Sequence, residues 1–135
     1  MALAADVLGD RWTLLILREA FYGVTRFDDM QADLCAPRSA LADRLRRLVD
    51  AGLLKKTPYR EPGSRARDAY LLSERGRDLA PTFLALTAWG EKHITRQPAP
   101  VDIRDSETGA RLRVELLDDQ GFVVPLRRAR LRLRR

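Results

Sequence analysis

Arginine and lysine are the residues of this chain whose number and spacing point to a chemistry. Residues 36–67 contain nine Lys/Arg and three Asp/Glu, and residues 127–135 contain six Arg and no acid. The remaining residues contain ten Lys/Arg and sixteen Asp/Glu, so the net charge of +6 is divided into two basic blocks on an acidic body. This segregation is typical of a face that binds a polyanion, although an ordinary basic surface would give the same counts.

Residue types needed for catalysis or metal binding are scarce. The chain has one histidine, His93, and one cysteine, Cys35, which excludes a zinc ribbon and an intrachain disulfide. It contains neither a GxSxG motif nor a Gly-rich phosphate loop. We therefore expect no enzyme activity, no cofactor and no metal.

Signals for export or membrane insertion are also missing from the sequence. No apolar run approaches the roughly 20 residues that a membrane helix needs. No basic start is followed by an apolar stretch and a small-residue cleavage site. With a single cysteine, these features predict a cytoplasmic protein with no membrane partner.

The elements that must position the arginines can be read from apolar spacing, caps and turn residues. Helices are predicted over residues 2–8, 11–21, 26–34 (with Thr25 as its N-cap), about 37–51, and 74–93 after a capping Ser73. Strands are predicted over 53–59 and 67–72, with the loop 61–64 between them. After two prolines, shorter strands are predicted around 101–104, 111–117, 121–124 and 129–133.

This order of elements predicts an α+β fold containing a winged helix-turn-helix. The short helix 26–34 is joined through Cys35 and Ala36 to a basic amphipathic helix, and the hairpin that follows would be a two-stranded β-wing. We expect a DNA-binding and dimerisation domain over residues 1–97. Residues 98–135 would form a small strand-rich, Arg-rich extension, whose final arginines could contact phosphates or keep an edge strand soluble.

The basic helix would present its outer face to double-stranded DNA. The N-terminal part of a recognition helix normally reads bases, and later positions contact phosphates. The predicted base-reading residues are Arg38, Ser39, Ala42 and Asp43; the predicted phosphate contacts are Arg46 and Arg47, with Arg60, Arg65 and Arg67 on the wing. Asp43 would be repelled by phosphate, so it either accepts a hydrogen bond from cytosine N4 or orients Arg46 or Arg47.

Residues 7–18, VLGDRWTLLILR, resemble the opening signature of HxlR-type regulators, which are winged-helix proteins similar to the MarR group. The resemblance continues through residues 23–27, 41–48, 52–54, 70–76 and 86–90. It implies a dimeric DNA-binding regulator, often a repressor, whose first and last domain helices form the dimer interface. The resemblance assigns Trp12 to the core and Arg26 to the phosphate backbone; its dimer candidates are Leu3, Val7, Phe83, Leu86 and Trp89.

Two ways of sensing a signal stay open. Several HxlR-type proteins detect oxidants with a cysteine ahead of the first helix, which this chain lacks. Cys35 could be redox-sensitive in its place, but we favour a small buried residue because no second cysteine could resolve an oxidised one. A small-molecule effector could bind near Phe83 and Trp89, with Phe21 and Tyr22, although dimer core is the simpler interpretation.

The sequence thus predicts a bacterial, sequence-specific transcriptional regulator. We expect a homodimer that represses from a pseudo-palindromic operator and is relieved by a small-molecule or redox signal. The alternative is a winged-helix protein-interaction module without sequence-specific DNA binding. RNA binding is less favoured, because the A-form major groove does not admit a recognition helix.

Overall fold

The computed structural model describes residues 1–132. The end of the predicted strand 129–133 and the last arginines of the block 127–135 therefore lie outside the described residues. The helices and strands, in chain order, are α1 (Ala2–Leu8), α2 (Arg11–Phe21), α3 (Phe27–Leu34), α4 (Arg38–Asp50), β1 (Leu54–Tyr59), β2 (Arg67–Leu72), α5 (Glu74–Arg77) and α6 (Ala80–Gly90). A π-helical turn, Glu91–Thr95, and a 3₁₀ turn, Leu126–Arg128, follow. None of the helices in residues 1–132 combines the length and apolar character needed to cross a bilayer.

The chain divides into two compact units, Met1–Ala80 and a second unit that starts at Pro81. The core lies in the first unit, where α2, α3 and α4 contribute apolar side chains at helical spacing. The largest fully buried side chains are Ile16, Leu17, Met30, Leu41, Leu45, Leu48 and Leu54. The predicted domain boundary at residues 97/98 stays a prediction.

Strands β1 and β2 form the predicted antiparallel hairpin, with a register running from Leu54 opposite Leu72 to Tyr59 opposite Arg67. The segment before α3 pairs with the hairpin, because Tyr70 N donates to Thr25 O at 2.7 Å and Arg26 forms a bridge with Ala69. The structure also corrects the predicted N-cap of α3. The N-cap of α3 is Arg26 rather than Thr25, and it makes no side-chain capping hydrogen bond.

The predicted long helix 74–93 is interrupted. Ser73 caps its start as expected, accepting a hydrogen bond from Gly76 N at 3.0 Å, but α5 ends at Arg77 and α6 begins at Ala80. Pro81 explains the break, because a proline ring inside a helix collides with the carbonyl four residues earlier and lacks a donor N–H.

In the part of the extension that the structure describes, up to residue 132, the predicted strands are reduced to two single bridges, Arg104 with Arg111 and Leu117 with Val123. Turns at Gly109 and Gly121, both with positive φ, lie between the bridged residues. Aspartate side chains shape these turns: Asp118 Oδ1, for example, accepts from the backbone N–H groups of Gln120 and Phe122 at 3.0 and 2.9 Å. The extension is therefore a pair of tight hairpin turns with little continuous pairing.

Gly76 of α5 packs closely against the backbone of Leu53, which lies between α4 and β1. A Cβ at this position would overlap the carbonyl oxygen of Leu53, which is backbone and cannot move aside cheaply. We expect Gly76→Ala to lower the free energy of unfolding by about 2–3 kcal/mol, measured by urea denaturation. Gly90→Ala is the control, since a Cβ there meets nothing within 4 Å. Equal stability of the two variants would contradict this packing.

Candidate nucleic-acid interface

Helix α4 has a buried face and a basic exposed face. Leu41, Leu45 and Leu48 are buried in the core of the first unit. The exposed side chains on the remaining surface are Arg38, Ser39, Ala42, Arg46 and Arg47, and Asp43 is half-buried among them. The structure therefore brings the predicted α4 residues onto one solvent-facing surface. Their contact with DNA stays a prediction.

Asp43 is surrounded by arginines of its own helix. Its carboxylate pairs with Arg44 Nη1 at 2.5 Å, Arg46 Nη2 at 2.8 Å and Arg47 Nε at 3.0 Å. The hydrogen bond from Arg46, with the neighbouring guanidinium charges, holds the pKa of Asp43 below its usual value. The structure thus pairs Asp43 with Arg46 and Arg47, and the predicted orienting role stays a prediction. The cytosine contact stays a prediction.

Arg44 was not among the predicted site residues. Its Nε donates to Asp10 Oδ1 at 3.1 Å, which ties α4 to the N-cap of α2. Position 44 shares a helix face with Leu41 and Leu48, so the spacing already directs it toward the protein. Arg44 therefore positions α4, whereas Arg46 and Arg47 face solvent.

Asp10 links this ion pair to the cap of α2. Its carboxylate also accepts from Thr13 N at 3.1 Å and from Thr13 Oγ1 at 2.5 Å. Partial burial raises the pKa of Asp10, but the hydrogen bonds from Thr13 and the ion pair with Arg44 outweigh it, so the pKa lies below the usual value.

Asp10→Ala should lower the free energy of unfolding by about 1 kcal/mol at pH 7, because it removes this cap. A carboxyl group whose pKa is depressed on folding stabilises the protein fully above its unfolded pKa of about 3.9. That contribution is lost as the pH falls through the folded pKa. The difference between wild type and variant in urea unfolding should therefore shrink below about pH 4. Asp6→Ala, on the exposed surface of α1, is the control and should change little at either pH.

The wing carries the other predicted arginines. Arg60 Nε donates to Ser64 O at 2.9 Å and so shapes the tip. Arg65 is exposed and has no ion pair within residues 1–132. Arg67 Nη1 lies 2.8 Å from Asp28 Oδ2 in α3. Of the three wing arginines, Arg67 is therefore held by an acid and Arg60 by a backbone carbonyl, whereas Arg65 is held by neither within residues 1–132.

A cleft of about 360 Å³ lies between the start of α4, helix α3 and the wing. It is lined by Phe27, Asp28, Arg38, Tyr59, Arg65, Arg67, Asp68 and Tyr70. Two arginines stack on aromatic rings here: Arg38 over Phe27 at 4.7 Å, and Arg26 over Tyr59 at 4.8 Å. Arg26 also pairs with Glu61 at 2.5 Å. These aromatic residues were not among the predicted site residues, because a sequence pattern does not show which rings adjoin an arginine.

The predicted dimer-interface residues are apolar side chains, and most of them are exposed to solvent in the single chain. Leu3 of α1 is 83% exposed, and Leu86 and Trp89 of α6 are 50% and 58% exposed. Val7 is also exposed and Phe83 is half-buried. No residue of α1 or α6 is buried. Within the second unit, α6 and the extension border a groove of about 800 Å³ that includes Trp89.

Cys35 is exposed, which corrects the expectation that it is a small buried residue. It ends α3 in the left-handed conformation, with φ of 49°, so its side chain lies at the turn rather than in the core. Its sensitivity to redox signals stays a prediction.

The chain is similar to known proteins in both sequence and structure. Residues 7–98 match the sequence model of the HxlR-like helix-turn-helix family. Rv3095 of Mycobacterium tuberculosis, named as an HTH-type transcriptional regulator, is 44% identical over 97 residues. This match covers 72% of the chain and 60% of the relative, so the chain spans less than two thirds of that protein's length.

Two solved structures are similar to the chain as well. PA1607, described as a candidate transcription factor, superposes with a TM-score of 0.78 and 32% identity, covering 95% of this chain and 89% of PA1607. The reduced form of the redox regulator HypR superposes with a TM-score of 0.62 and 25% identity, covering 70% and 93% of the two chains. The matched segment contains α2, α3, α4 and the wing, the elements that build the basic surface. The chain belongs to the HxlR-like helix-turn-helix family, a family of transcriptional regulators with a winged-helix fold.

Proposed function

We propose that the protein is a homodimeric repressor that binds a pseudo-palindromic operator in double-stranded DNA. The observation that carries this proposal is the exposed face of α4, which has no buried residue among positions 38, 39, 42, 46 and 47 and adjoins the arginine-bearing wing. An α-helix with such a face fits the major groove, and a β-ribbon beside it can reach the flanking backbone.

Within this proposal the arginines have different tasks. Arg38, Ser39, Ala42 and Asp43 lie in the first half of α4, the part of a recognition helix that normally approaches base edges. Arg46 and Arg47 lie farther along and contact phosphates, as does the unpaired Arg65 of the wing. Arg26 contacts phosphate only after leaving Glu61, with which it is paired in the free protein.

The proposed dimer follows from the composition of α6. Its sequence, APTFLALTAWG, is apolar around most of the helix, and such a helix is normally buried. Since no residue of α6 or α1 is buried in a single chain, a second copy supplies the cover. Leu3, Val7, Phe83, Leu86 and Trp89 are the proposed interface residues.

A signal that loosens the repressor from DNA must favour one arrangement of the dimer over another. We propose that a small apolar effector acts at the dimer interface, where it would change the distance between the two recognition helices. A covalent change at exposed Cys35 is the redox alternative, and it would act at the turn that leads into α4.

Hydroxyl-radical footprinting on the DNA that flanks the protein's own gene tests this proposal. A dimer should protect two half-sites whose centres lie about 10 base pairs apart on one face of the duplex. Protection of a single half-site would contradict the dimer. Absence of any protected site would contradict sequence-specific binding.

A further inference from the structure

We propose that Asp28 is an internal substitute for a DNA phosphate: it holds Arg38 and Arg67 in the free protein and gives them up to the backbone when DNA binds. This inference rests on the proposed DNA-binding function and deepens it, because it assigns a residue that limits how readily the basic surface captures DNA. Neither the sequence pattern nor the family resemblance selects Asp28.

The geometry places Asp28 at the junction of three elements. It lies in the first turn of α3, and its Oδ2 is 2.8 Å from Arg67 Nη1 of β2. Its Oδ1 is 3.5 Å from Arg38 Nη1 at the start of α4. A single carboxylate therefore holds one arginine from the recognition helix and one from the wing, residues 10 and 39 positions away in the chain.

The ion pairs of Asp28 with Arg38 and Arg67 are exposed to solvent, so a DNA phosphate can replace the carboxylate. The side chains of Asp28, Arg67 and Arg38 are 56%, 57% and 71% exposed. Exposed ion pairs of this kind contribute little stability and re-form with other partners readily. Arg38 is also supported from below by the ring of Phe27 at 4.7 Å, so its guanidinium stays at the mouth of the cleft when the carboxylate is removed.

A phosphate can replace the carboxylate because both are anions that guanidinium groups bind through paired hydrogen bonds. In the free protein Asp28 satisfies the two arginines without DNA. Binding to DNA must break these pairs before the phosphate contacts form. Each arginine therefore contributes less to the free energy of DNA binding than an arginine without an acidic partner would. Asp28 thereby weakens capture of DNA by the basic surface.

Asp29 provides a matched control. It lies beside Asp28 in the first turn of α3, is also exposed, and makes no ion pair within residues 1–132. Asp28→Asn and Asp29→Asn remove the same charge from the same helix end, so their effects on the helix dipole and on the net charge are alike. Only the first removes the carboxylate that pairs with Arg38 and Arg67, and Arg38 keeps its 3.5 Å contact with Gln31 Oε1.

The test is a set of DNA titrations by fluorescence anisotropy at fixed salt. The proteins, each with residues 1–135, are wild type, Asp28→Asn and Asp29→Asn, each with and without Arg67→Gln. We expect Asp28→Asn to bind unrelated duplex DNA roughly three- to tenfold more tightly than Asp29→Asn. Arg67→Gln should then weaken binding at least about threefold more in the Asp28→Asn background than in wild type, because the released arginine contributes its full phosphate contact. In the Asp29→Asn background, Arg67→Gln should weaken DNA binding by the same factor as in wild type.

The outcomes separate the proposed role of Asp28 from the proposed DNA binding. If Asp28→Asn and Asp29→Asn bind alike, or if Arg67→Gln costs the same in all three backgrounds, Asp28 does not compete with phosphate and the inference is overturned. If none of the six proteins binds DNA, the proposed function itself fails and the inference falls with it. Circular dichroism and urea unfolding of each variant show whether weaker binding comes from loss of the fold.

Discussion

Trp89→Glu is expected to leave the protein monomeric, with an intact fold in the first unit. Trp89 is 58% exposed in the single chain, so a charged side chain at this position should change the monomer's free energy of unfolding little. In the proposed dimer the same carboxylate would be buried opposite an apolar surface, and a symmetric interface contains it twice. At about 2 kcal/mol for each copy, association should weaken by roughly a thousandfold.

Light scattering or sedimentation at micromolar concentration measures this directly, since the monomer has a mass of 15.4 kDa. Leu71→Glu is the control, because Leu71 is similarly exposed at 42% but lies on the wing strand β2. It should retain the dimer mass. A Trp89→Glu protein that remains dimeric would show that α6 does not form the interface, and the assignment of Leu86 and Phe83 would fail with it.

The second large effect is expected from removing the two phosphate-contacting arginines of α4. Arg46→Ala/Arg47→Ala should weaken DNA binding roughly thirty- to a hundredfold, at about 1 kcal/mol or slightly more for each charged contact. The slope of log affinity against log salt should fall by about two, one unit for each arginine that no longer neutralises a phosphate. Among residues 1–132 the double variant leaves Asp43 paired with Arg44 alone, and its less compensated charge would add repulsion from the DNA backbone.

Arg104→Ala/Arg113→Ala removes the same charge from the extension and serves as the control. Both arginines are exposed and pair with acids of the extension, Arg104 with Asp102 and Arg113 with Glu115. We expect affinity and salt slope to stay near wild type. Equal decreases in affinity in the two double variants would indicate that net charge, and not the face of α4, determines binding.

Local signals explain why much of the fold could be predicted from the sequence. The apolar spacing of α2 predicted its bounds, Arg11–Phe21, and β2 was predicted as Arg67–Leu72. Ser73 caps the next helix as predicted, because an N-cap depends on residues only three apart. The break before α6 had a local signal too, Pro81, which the continuous apolar pattern on either side outweighed.

Contacts between residues distant in sequence were not predictable in the same way. Arg67 could pair with any of several acids, and its pairing with Asp28 depends on how the wing packs against α3. The link between Arg44 and Asp10 joins residues 34 positions apart and has no sequence signal beyond the inward direction of position 44. In the extension short strands were predicted, but up to residue 132 the turns held by Asp105 and Asp118 leave single bridges in place of strands.

The central claim is that the exposed face of α4 and the wing bind DNA with sequence preference. The most direct measurement is a titration of a labelled fragment flanking the protein's own gene, by fluorescence anisotropy at two salt concentrations with unrelated competitor DNA. The proposed function predicts saturable binding with two chains per site, resistance to competitor, and a steep decrease in affinity with salt. Binding that unrelated DNA displaces equally well would contradict the claim, and would favour a winged helix whose basic surface meets an acidic protein.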